Sequence, residues 1–422
     1  MSVKGGEAFK GHAMIERIVI ENFKSLKQVD LTLGAMNLFI GTNASGKSNF
    51  FDALRVLQGV GNGFTISEIL DGKPKGPTSE VWEAIRGGSA HACFAGNDGP
   101  GAEVKITVTG RLPGPAASRW EFALAFDPRG ARVTSERLKV GEVIYDSGPL
   151  AQAATSDPVL KVRYWSGGQG KPPHLTFEPS RPVLTQLARR NGTTGIKKSH
   201  AEAAAAVAAA LSNMQRLDPS PHVLRGYSQA QQIGRMGERG ENFAALVNAI
   251  SRDPQAKDAY LAWLRQLRPA ELDGVGTLAG AVGEPMFMLL EGQRKYPAPV
   301  LSDGTLRFAA ITAAFFQLDM PALMTIEEIE NGIHAHRVRL LVELLRSQAA
   351  RGGTQVMATT HSPIVLAWLE PKEYATTFFC QRDPETGESR ICALPDLPHF
   401  MEVVRKQPIA NLFSEGWLET AL

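Results

Sequence analysis

Residues 41–48 read GTNASGKS and match the pattern GxxxxGK[ST], which wraps nucleotide phosphates. Glycines at this spacing let backbone N–H groups surround the phosphates, and a following helix adds partial positive charge. The lysine of the pattern neutralises the β- and γ-phosphates, and the next hydroxyl binds Mg²⁺. The alternative is a glycine turn with an exposed lysine. The residues predicted to bind nucleotide are Gly41, Asn43, Gly46, Lys47 and Ser48, and Ser48 is also a predicted Mg²⁺ ligand.

A second candidate is a pair of acids that follows an apolar run. Residues 322–326 read ALMTI, which predicts a buried strand, and Glu327 and Glu328 come directly after it. A carboxylate at the end of such a strand reaches the Mg²⁺ of a bound nucleotide, and its neighbour orients or deprotonates the attacking water. We therefore predict Glu327 as the metal-side acid and Glu328 as the catalytic base. Taken alone, the EEIE run at 327–330 also suits a solvated helix start.

Two further short motifs carry polar groups that a nucleotide site would use. Residues 355–360 read QVMATT, a predicted strand that stops at His361, whose ring can hydrogen-bond the γ-phosphate or the attacking water. Residues 301–305 read LSDGT and stand just before a helical run. Alone, LSDGT predicts a helix N-cap with a turn glycine, and a single histidine at a strand end is more often structural.

The elements around these motifs indicate how they are positioned. Residues 15–23 and 29–33 are typical of paired strands, and the apolar run 36–40 predicts a buried strand directly ahead of GTNASGKS. Short alternating segments between Gly and Pro turns predict an antiparallel meander over 101–145. Near the carboxyl end, apolar segments on both sides of DPETG predict a hairpin.

Four regions follow from these patterns. A polar, Gly-rich leader over 1–13 is expected to be disordered, with Met14 as a candidate start. An N-terminal lobe spans 14–195, and a mostly helical insertion over 196–300 includes the helix-favouring run AEAAAAVAAAL. A C-terminal lobe with renewed βα character spans 301–422.

The composition narrows the class of protein. With 422 residues, two or three packed subregions are expected, and 43% hydrophobic with 21% charged residues is typical of a globular protein. A net charge of +2 gives no reason to expect that the whole chain attracts nucleic acid. Three scattered cysteines form no zinc or disulfide pattern, and no apolar stretch is long enough to span a bilayer. We therefore expect a cytoplasmic protein without a membrane partner.

The four motifs occur in one order: GTNASGKS, LSDGT, the acidic strand and TTHSP at 359–363. In this order they resemble the RecF/SMC-like branch of ABC-type ATPases, and more narrowly the stand-alone RecF-like ATPases of the AAA family that carry an IEEPENGxH motif. The segments IVIENFKSL at 18–26 and RLDPSP at 216–221 also look like that group. The resemblance implies an α/β P-loop ATPase head, with a mixed sheet and an antiparallel β subdomain, that hydrolyses ATP with Mg²⁺.

The resemblance also implies a role for LSDGT that the residues alone do not. In the family the corresponding signature loop contacts the γ-phosphate of ATP bound to a second subunit. Ser302, Asp303 and Gly304 would then belong to a nucleotide site shared between two copies of the chain. An ATP-dependent homodimer or higher oligomer is the implied assembly.

Three departures from the family pattern stand out. Ile329 replaces the usual proline, and Glu327 replaces the aspartate of many relatives. A Q-loop glutamine is not recognisable, although that loop should fall within 79–88, near Glu83 and Arg86. The insertion lacks the sustained heptads of a long SMC coiled coil, and the segment after His361 shows no DxD pair or histidine-rich nuclease pattern.

Three functions are compatible with the sequence. The first is an ATPase that senses or holds DNA and controls a separate effector, such as a Toprim-like or HNH nuclease, as in antiphage defence systems. The second is a DNA repair or recombination clamp of RecF character. The third is a regulatory ATP-binding scaffold with weak hydrolysis. The candidates for DNA contact lie in the stretch 181–198, which contains no acidic residue. The alternative is that this stretch is an ordinary solvated loop. The candidate residues are Arg189, Arg190, Lys197 and Lys198.

Overall fold

In a computed structural model of the chain, the described residues are 13–73, 82–96, 99–101, 103–113, 118–148, 159–166, 171–190, 195–228, 234–267 and 272–421. The predicted disordered leader lies outside these ranges except for residue 13. Within them, no helix combines the length and the apolar character needed to cross a bilayer.

Strands and helices are named here in chain order. The strands are β1 (Met14–Phe23), β2 (Leu26–Thr32), β3 (Met36–Ile40), β4 (Ala95–Gly96), β5 (Gly99–Pro100), β6 (Val104–Arg111), β7 (Arg119–Asp127), β8 (Arg132–Val140), β9 (Glu142–Asp146), β10 (Leu160–Tyr164), β11 (His174–Phe177), β12 (Met214–Leu217), β13 (Gly274–Ala279), β14 (Pro285–Glu291), β15 (Arg294–Pro297), β16 (Leu323–Ile326), β17 (Gln355–Thr360), β18 (Thr377–Arg382) and β19 (Ser389–Ala393). The helices are α1 (Lys47–Asn62), α2 (Ile66–Asp71), α3 (Val183–Arg189), α4 (Lys198–Ser212), α5 (Pro221–Leu224), α6 (Phe243–Ile250), α7 (Pro254–Arg265), α8 (Asp303–Ala314), α9 (Ala335–Ala350), α10 (Pro363–Leu366), α11 (Phe400–Val403), α12 (Ile409–Ser414) and α13 (Trp417–Ala421).

The central sheet has the strand order β12-β16-β17-β3-β18-β19. All neighbours run parallel except β18 and β19, which form the predicted antiparallel hairpin. β16 and β17 are buried along their whole length, as continuous apolar runs in parallel sheets usually are. Because parallel strands end at the same edge, the loops after β12, β16, β17 and β3 lie along one edge of this sheet.

An antiparallel sheet with the order β11-β10-β9-β8-β7-β6-β1-β2 forms the second layer. The predicted pairing of the first two strands is confirmed, with Ile18 opposite Leu31, and the predicted meander corresponds to β6 through β9. Alternate residues of β6, such as Val104 and Ile106, point into the core. The mixed α/β fold class expected from the sequence is therefore confirmed.

Helix α1 lies between the antiparallel layer and helices α3 and α4. Its residues Phe50 and Leu57 are fully buried in the core that also contains β1, β6 and β7. Near its end Gly61 lies so close to α4 that a Cβ there would overlap the Ser212 backbone nitrogen. The helix that follows GTNASGKS is thus fixed on several sides.

The region 196–300 differs in part from the predicted mostly helical insertion. It carries α4, α5, α6 and α7, but β12 within it belongs to the central sheet and pairs with β16. In addition, β13, β14 and β15 form a small antiparallel sheet of their own. The alanine-rich run strongly favours helix and led to a helical prediction for the region. The short strand MQRL at β12 lacks the alternation of polar and apolar residues that would predict a strand.

Candidate active site

Two glycines of GTNASGKS are required by close packing against the C-terminal hairpin. Gly41 has φ +150° and Gly46 has φ +106°, which side-chain-bearing residues rarely adopt. A Cβ on Gly41 would overlap the Cys380 carbonyl oxygen, and a Cβ on Gly46 would overlap the Ser389 hydroxyl. The loop therefore rests on β18 and β19, and this packing constrains its backbone.

The Lys47 ammonium lies inside this loop. Its Nζ donates hydrogen bonds to the carbonyl oxygens of Gly41 at 2.6 Å and Thr42 at 2.7 Å, and the side chain is buried. Burial lowers the pKa of Lys47, and nearby negative groups, including Glu327 and Glu328, act in the opposite direction. The ammonium can exchange its carbonyl partners for phosphate oxygens, which are stronger acceptors.

Ser48 and Glu327 lie side by side. The Ser48 hydroxyl donates to Glu327 Oε2 at 3.5 Å, and Arg216 Nη2 is 3.0 Å from Oε1. Among the described residues Glu327 Oε1 has ion-pair contacts but no hydrogen-bond partner of suitable geometry. A hydroxyl and a carboxylate are oxygen donors of the kind Mg²⁺ takes when phosphates and waters complete its shell. These two residues could therefore hold Mg²⁺.

Glu328 has an unusual backbone. Its φ of +46° lies in the left-handed region, which costs a residue other than glycine about 1 kcal/mol or more. Its N–H donates to the Thr359 hydroxyl of β17 at 2.9 Å. The adjacent strand therefore helps to hold the turn that carries both predicted acids.

His361 stands where β17 ends, beside a third acid. Its backbone N–H donates to Glu330 Oε1 at 3.1 Å, and its Nδ1 is 3.4 Å from the same oxygen. The Glu330 side chain is only 10% exposed, whereas that of His361 is 47% exposed. The predictions missed Glu330, although it stands within the EEIE run. The side on which it leaves the turn depends on the φ of Glu328, which the sequence does not reveal.

The region expected to hold the Q-loop supplies an arginine. Arg86 Nη2 is 3.6 Å from Glu327 Oε1, and Arg86 Nε is 3.7 Å from Asp52 Oδ2 of α1. The backbone carbonyl of Glu83 accepts hydrogen bonds from Arg55. Residues 79–81 of this region lie outside the described residues. Arg86 therefore joins the helix after GTNASGKS to the acidic strand end.

The LSDGT turn forms the start of α8. Ser302 caps the helix by accepting from the Thr305 N–H at 3.3 Å, and Ser302 and Asp303 are exposed. Gly304 packs so closely that a Cβ would overlap the Gly332 carbonyl oxygen. Within the described parts of the chain, no hydrogen bond or ion pair joins this turn to residues 41–48.

Of the four residues predicted to contact DNA, three are exposed and one is bound within the protein. Arg189, Lys197 and Lys198 are exposed, and Lys198 Nζ is 3.7 Å from Glu202. Arg190 instead donates to the Thr176 carbonyl oxygen at 2.8 Å, with its guanidinium 4.2 Å from the Phe177 ring centre. The intervening residues 191–194 lie outside the described residues.

Two families of ATPase domains match the sequence. The family described as an AAA domain, putative AbiEii toxin, type IV TA system matches residues 191–367, and the AAA ATPase domain family matches residues 14–76. Both matches include a part of the site described above. Two parts of the chain are therefore similar to AAA-type ATPase domains. Both family descriptions name AAA domains, which supports the ATP-hydrolysing activity expected from the sequence.

Solved SMC heads resemble this ATPase over most of its length. The SMC head domain from Thermotoga maritima has 12% identity and a TM-score of 0.45, covering 90% of this chain and 98% of that one. The Smc head from Pyrococcus furiosus, bound to the C-terminal domain of ScpA, has 12% identity and a TM-score of 0.47, covering 93% and 99%. The head from Pyrococcus yayanosii has 10% identity, a TM-score of 0.47 and the same coverage. A search of the curated proteins found no match.

We expect Lys47→Ala and Glu328→Gln to separate ATP binding from hydrolysis. Removing the Lys47 ammonium should weaken ATP binding by about tenfold or more, because a charge-assisted contact to phosphate is lost. Glu328→Gln should leave the Kd for ATP within about threefold but lower kcat by roughly 10² to 10⁴, as expected for a lost general base. Isothermal titration and phosphate release measure the two effects.

Matched substitutions at exposed positions serve as controls. Lys161→Ala on β10 and Glu202→Gln on α4 change the same residue types away from the site, and both should behave as wild type. Wild-type turnover no faster than that of Glu328→Gln would contradict the role of Glu328.

Proposed function

We propose that this ATPase works as a homodimer in which ATP lies between the P-loop of one subunit and the LSDGT turn of the other. The observation that supports this arrangement is the exposure of Ser302 and Asp303 at the start of a buried helix. A helix N-terminus with free N–H groups favours an anion. Among the described residues, no hydrogen bond or ion pair joins the turn to residues 41–48 of its own P-loop. A second subunit can supply the phosphate.

Each residue near the P-loop has a defined task in this proposal. Lys47 neutralises the phosphates, with Asn43 and the loop glycines lining the nucleotide. Glu328 accepts a proton from the attacking water, and His361 contacts the γ-phosphate or that water. Ser48 and Glu327 would hold Mg²⁺, which would neutralise negative charge on the phosphate oxygens.

Ser302→Asp tests the shared site. Aspartate caps a helix about as well as serine, so α8 should remain stable, but its charge would repel the phosphates of the partner's ATP. In the Glu328→Gln background, which preserves ATP, we expect the ATP-dependent dimer to weaken by at least about tenfold. Light scattering coupled to size exclusion measures the dimer, and ATP binding to the monomer should be unchanged.

The control places the same residue at another N-cap. Thr65 caps α2 through the Glu68 N–H at 3.1 Å, so Thr65→Asp introduces the same charge in a helix cap outside the proposed interface. It should dimerise as wild type. If Ser302→Asp dimerises with ATP as strongly as Thr65→Asp, the shared site is wrong.

We further propose that the ATP cycle controls a separate effector in antiphage defence. The matching family at residues 191–367 carries a toxin and type IV TA system in its description, which favours a two-component system. The chemistry that the effector would add is cleavage of nucleic acid, by a nuclease of the Toprim-like or HNH kind. The ATPase would then sense or hold the DNA and license cutting.

Co-purification with the products of neighbouring genes tests this role. A nuclease-like neighbour should co-purify with the Glu328→Gln protein in ATP, and at least about tenfold less should be retained by Lys47→Ala, which lacks the bound nucleotide. Retention of recombination proteins would instead support a repair clamp. Absence of any neighbour from both preparations would contradict effector control.

DNA contact is proposed for Arg189, Lys197 and Lys198, which are exposed and close in sequence. Such contacts would be to phosphates, so the affinity should fall with salt. The double variant Lys197→Glu/Lys198→Glu should reduce the slope of log K against log salt by about 2, whereas Lys139→Glu/Lys161→Glu on exposed strand positions should not. Filter binding measures the slope, and an affinity that is absent or independent of salt would remove this proposal.

A further inference from the structure

Arg216 links Glu327 to a further acid that the proposed reaction does not use. Its Nη2 is 3.0 Å from Glu327 Oε1, and its Nη1 is 3.2 Å from Glu238 Oε1. Among the described residues, its Nε is buried without a hydrogen-bond partner. The positive charge of Arg216 is therefore shared between two carboxylates.

Backbone hydrogen bonds fix both acids around this guanidinium. β12 runs parallel to β16 with Arg216 opposite Thr325, so the arginine lies near the end of the strand that precedes Glu327. Glu238 is held close to the end of β12, because its carbonyl oxygen accepts the Asp218 N–H at 2.8 Å. The two carboxylates are thus placed by separate segments, and Arg216 stands between them.

The second arginine at Glu327 has the same arrangement with longer contacts. Arg86 Nη2 is 3.6 Å from Glu327 Oε1, its Nε is 3.7 Å from Asp52 Oδ2, and its side chain is 54% exposed. The Arg216 side chain is 30% exposed and lies closer to Glu327. Solvent and salt screen exposed ion pairs more than partly buried ones. Arg216 therefore interacts more strongly with Glu327 than Arg86 does.

Ser48 and Glu327, the proposed Mg²⁺ ligands, would place a divalent cation next to the Arg216 guanidinium. Two cations at one carboxylate repel each other, so the interaction of Arg216 with Glu327 would weaken. Glu238 is a second carboxylate already in contact with Arg216. A cavity of about 20 Å³, lined in part by Gln58 and Arg216, has room for about one water and leaves space for a small shift of the guanidinium.

We propose that Arg216 and Glu238 together set the affinity of the active site for Mg²⁺. Without the metal, Arg216 neutralises Glu327 and so acts as a competing cation. With the metal bound, Glu238 retains the guanidinium. The return of Arg216 to Glu327 then favours release of the metal together with ADP. This inference rests on the proposed Mg²⁺ site at Ser48 and Glu327.

Binding of ADP with and without Mg²⁺ tests the competition. The measured quantity is the Kd for ADP in EDTA divided by the Kd for ADP in Mg²⁺, both from isothermal titration. ADP avoids both hydrolysis and the proposed ATP-dependent dimer. Arg216→Gln should raise this ratio by roughly tenfold, a typical effect for a residue that contacts a metal ligand, because the competing cation is removed.

Glu238→Gln should change the ratio in the opposite direction. Arg216 would then keep Glu327 as its contacting carboxylate among the described residues, so the ratio should fall by about threefold or more. In the double variant, Glu238→Gln should have no further effect on Arg216→Gln, because both substitutions act through one guanidinium. Arg86→Gln should raise the ratio less than Arg216→Gln does, because its contacts are longer and more exposed.

The sign of the change separates competition from a purely orienting role. If Arg216 only orients Glu327 for the metal, Arg216→Gln lowers the ratio, and a lowered or unchanged ratio overturns the proposal. Ser48→Ala and Glu327→Ala test the metal site itself and should both lower the ratio. If both keep the wild-type ratio, the Mg²⁺ site is wrong. If both lower it while Arg216→Gln does not raise it, the site stands and the competition is wrong.

Arg346 provides a matched control, because it also bridges two carboxylates, those of Glu370 at 3.2 Å and Glu373 at 2.7 Å. Arg346→Gln and Glu370→Gln should both keep the wild-type ratio. Circular dichroism shows whether each variant folds. If Arg216→Gln does not fold, Glu238→Gln decides the question, since that side chain is 32% exposed. An unchanged or raised ratio in folded Glu238→Gln then overturns the proposal.

Discussion

Parallel pairing of β16, β17 and β3 is the constraint on which the rest of the active site depends. Ile326 lies opposite Ala358, and Thr360 lies opposite Ile40, so three chain segments leave the sheet at neighbouring points of one edge. A slip of one residue would turn every side chain of a strand to the opposite face. The distances that relate the P-loop, the paired acids and His361 follow from this register.

A network of oppositely charged side chains lies at the sheet edge that carries the site. Lys24 forms a buried ion pair with Asp52 of α1, and Arg86 links Asp52 to Glu327. Arg216 contacts Glu327 and is itself 3.2 Å from Glu238. Unpaired, these charges would be costly to bury, and the opposite charges of the network offset part of that cost. A cation that binds Glu327 competes with two guanidinium groups, so cation binding at Glu327 and the position of Arg86 are linked.

The P-loop depends on residues more than three hundred positions away. Gly41 and Gly46 rest on Cys380 and Ser389, and the Ser25 hydroxyl is 2.7 Å from the Ser389 hydroxyl. The terminal hairpin is therefore a support for the nucleotide loop as well as an edge of the sheet. α8 adds a second long-range link, since its buried Arg307 donates hydrogen bonds to the carbonyl oxygens of Glu327 and Glu328. The geometry of the site therefore depends on contacts between segments that are far apart in the sequence.

The sequence alone determined the parts of this protein whose physics is local. A glycine-rich loop between an apolar strand and a helix, acids after a buried strand and a hairpin around DPETG are short-range patterns that predict the local elements. The expected ATPase class came from the resemblance that the order of the motifs carries. Tertiary structure alone decided the positive φ of Glu328, the placement of Glu330 beside His361 and the contacts of Arg86 and Arg307. It also placed β12 in the central sheet, within a region that composition marked as helical. These features arise from contacts between distant segments, where burial and hydrogen bonding override local preference.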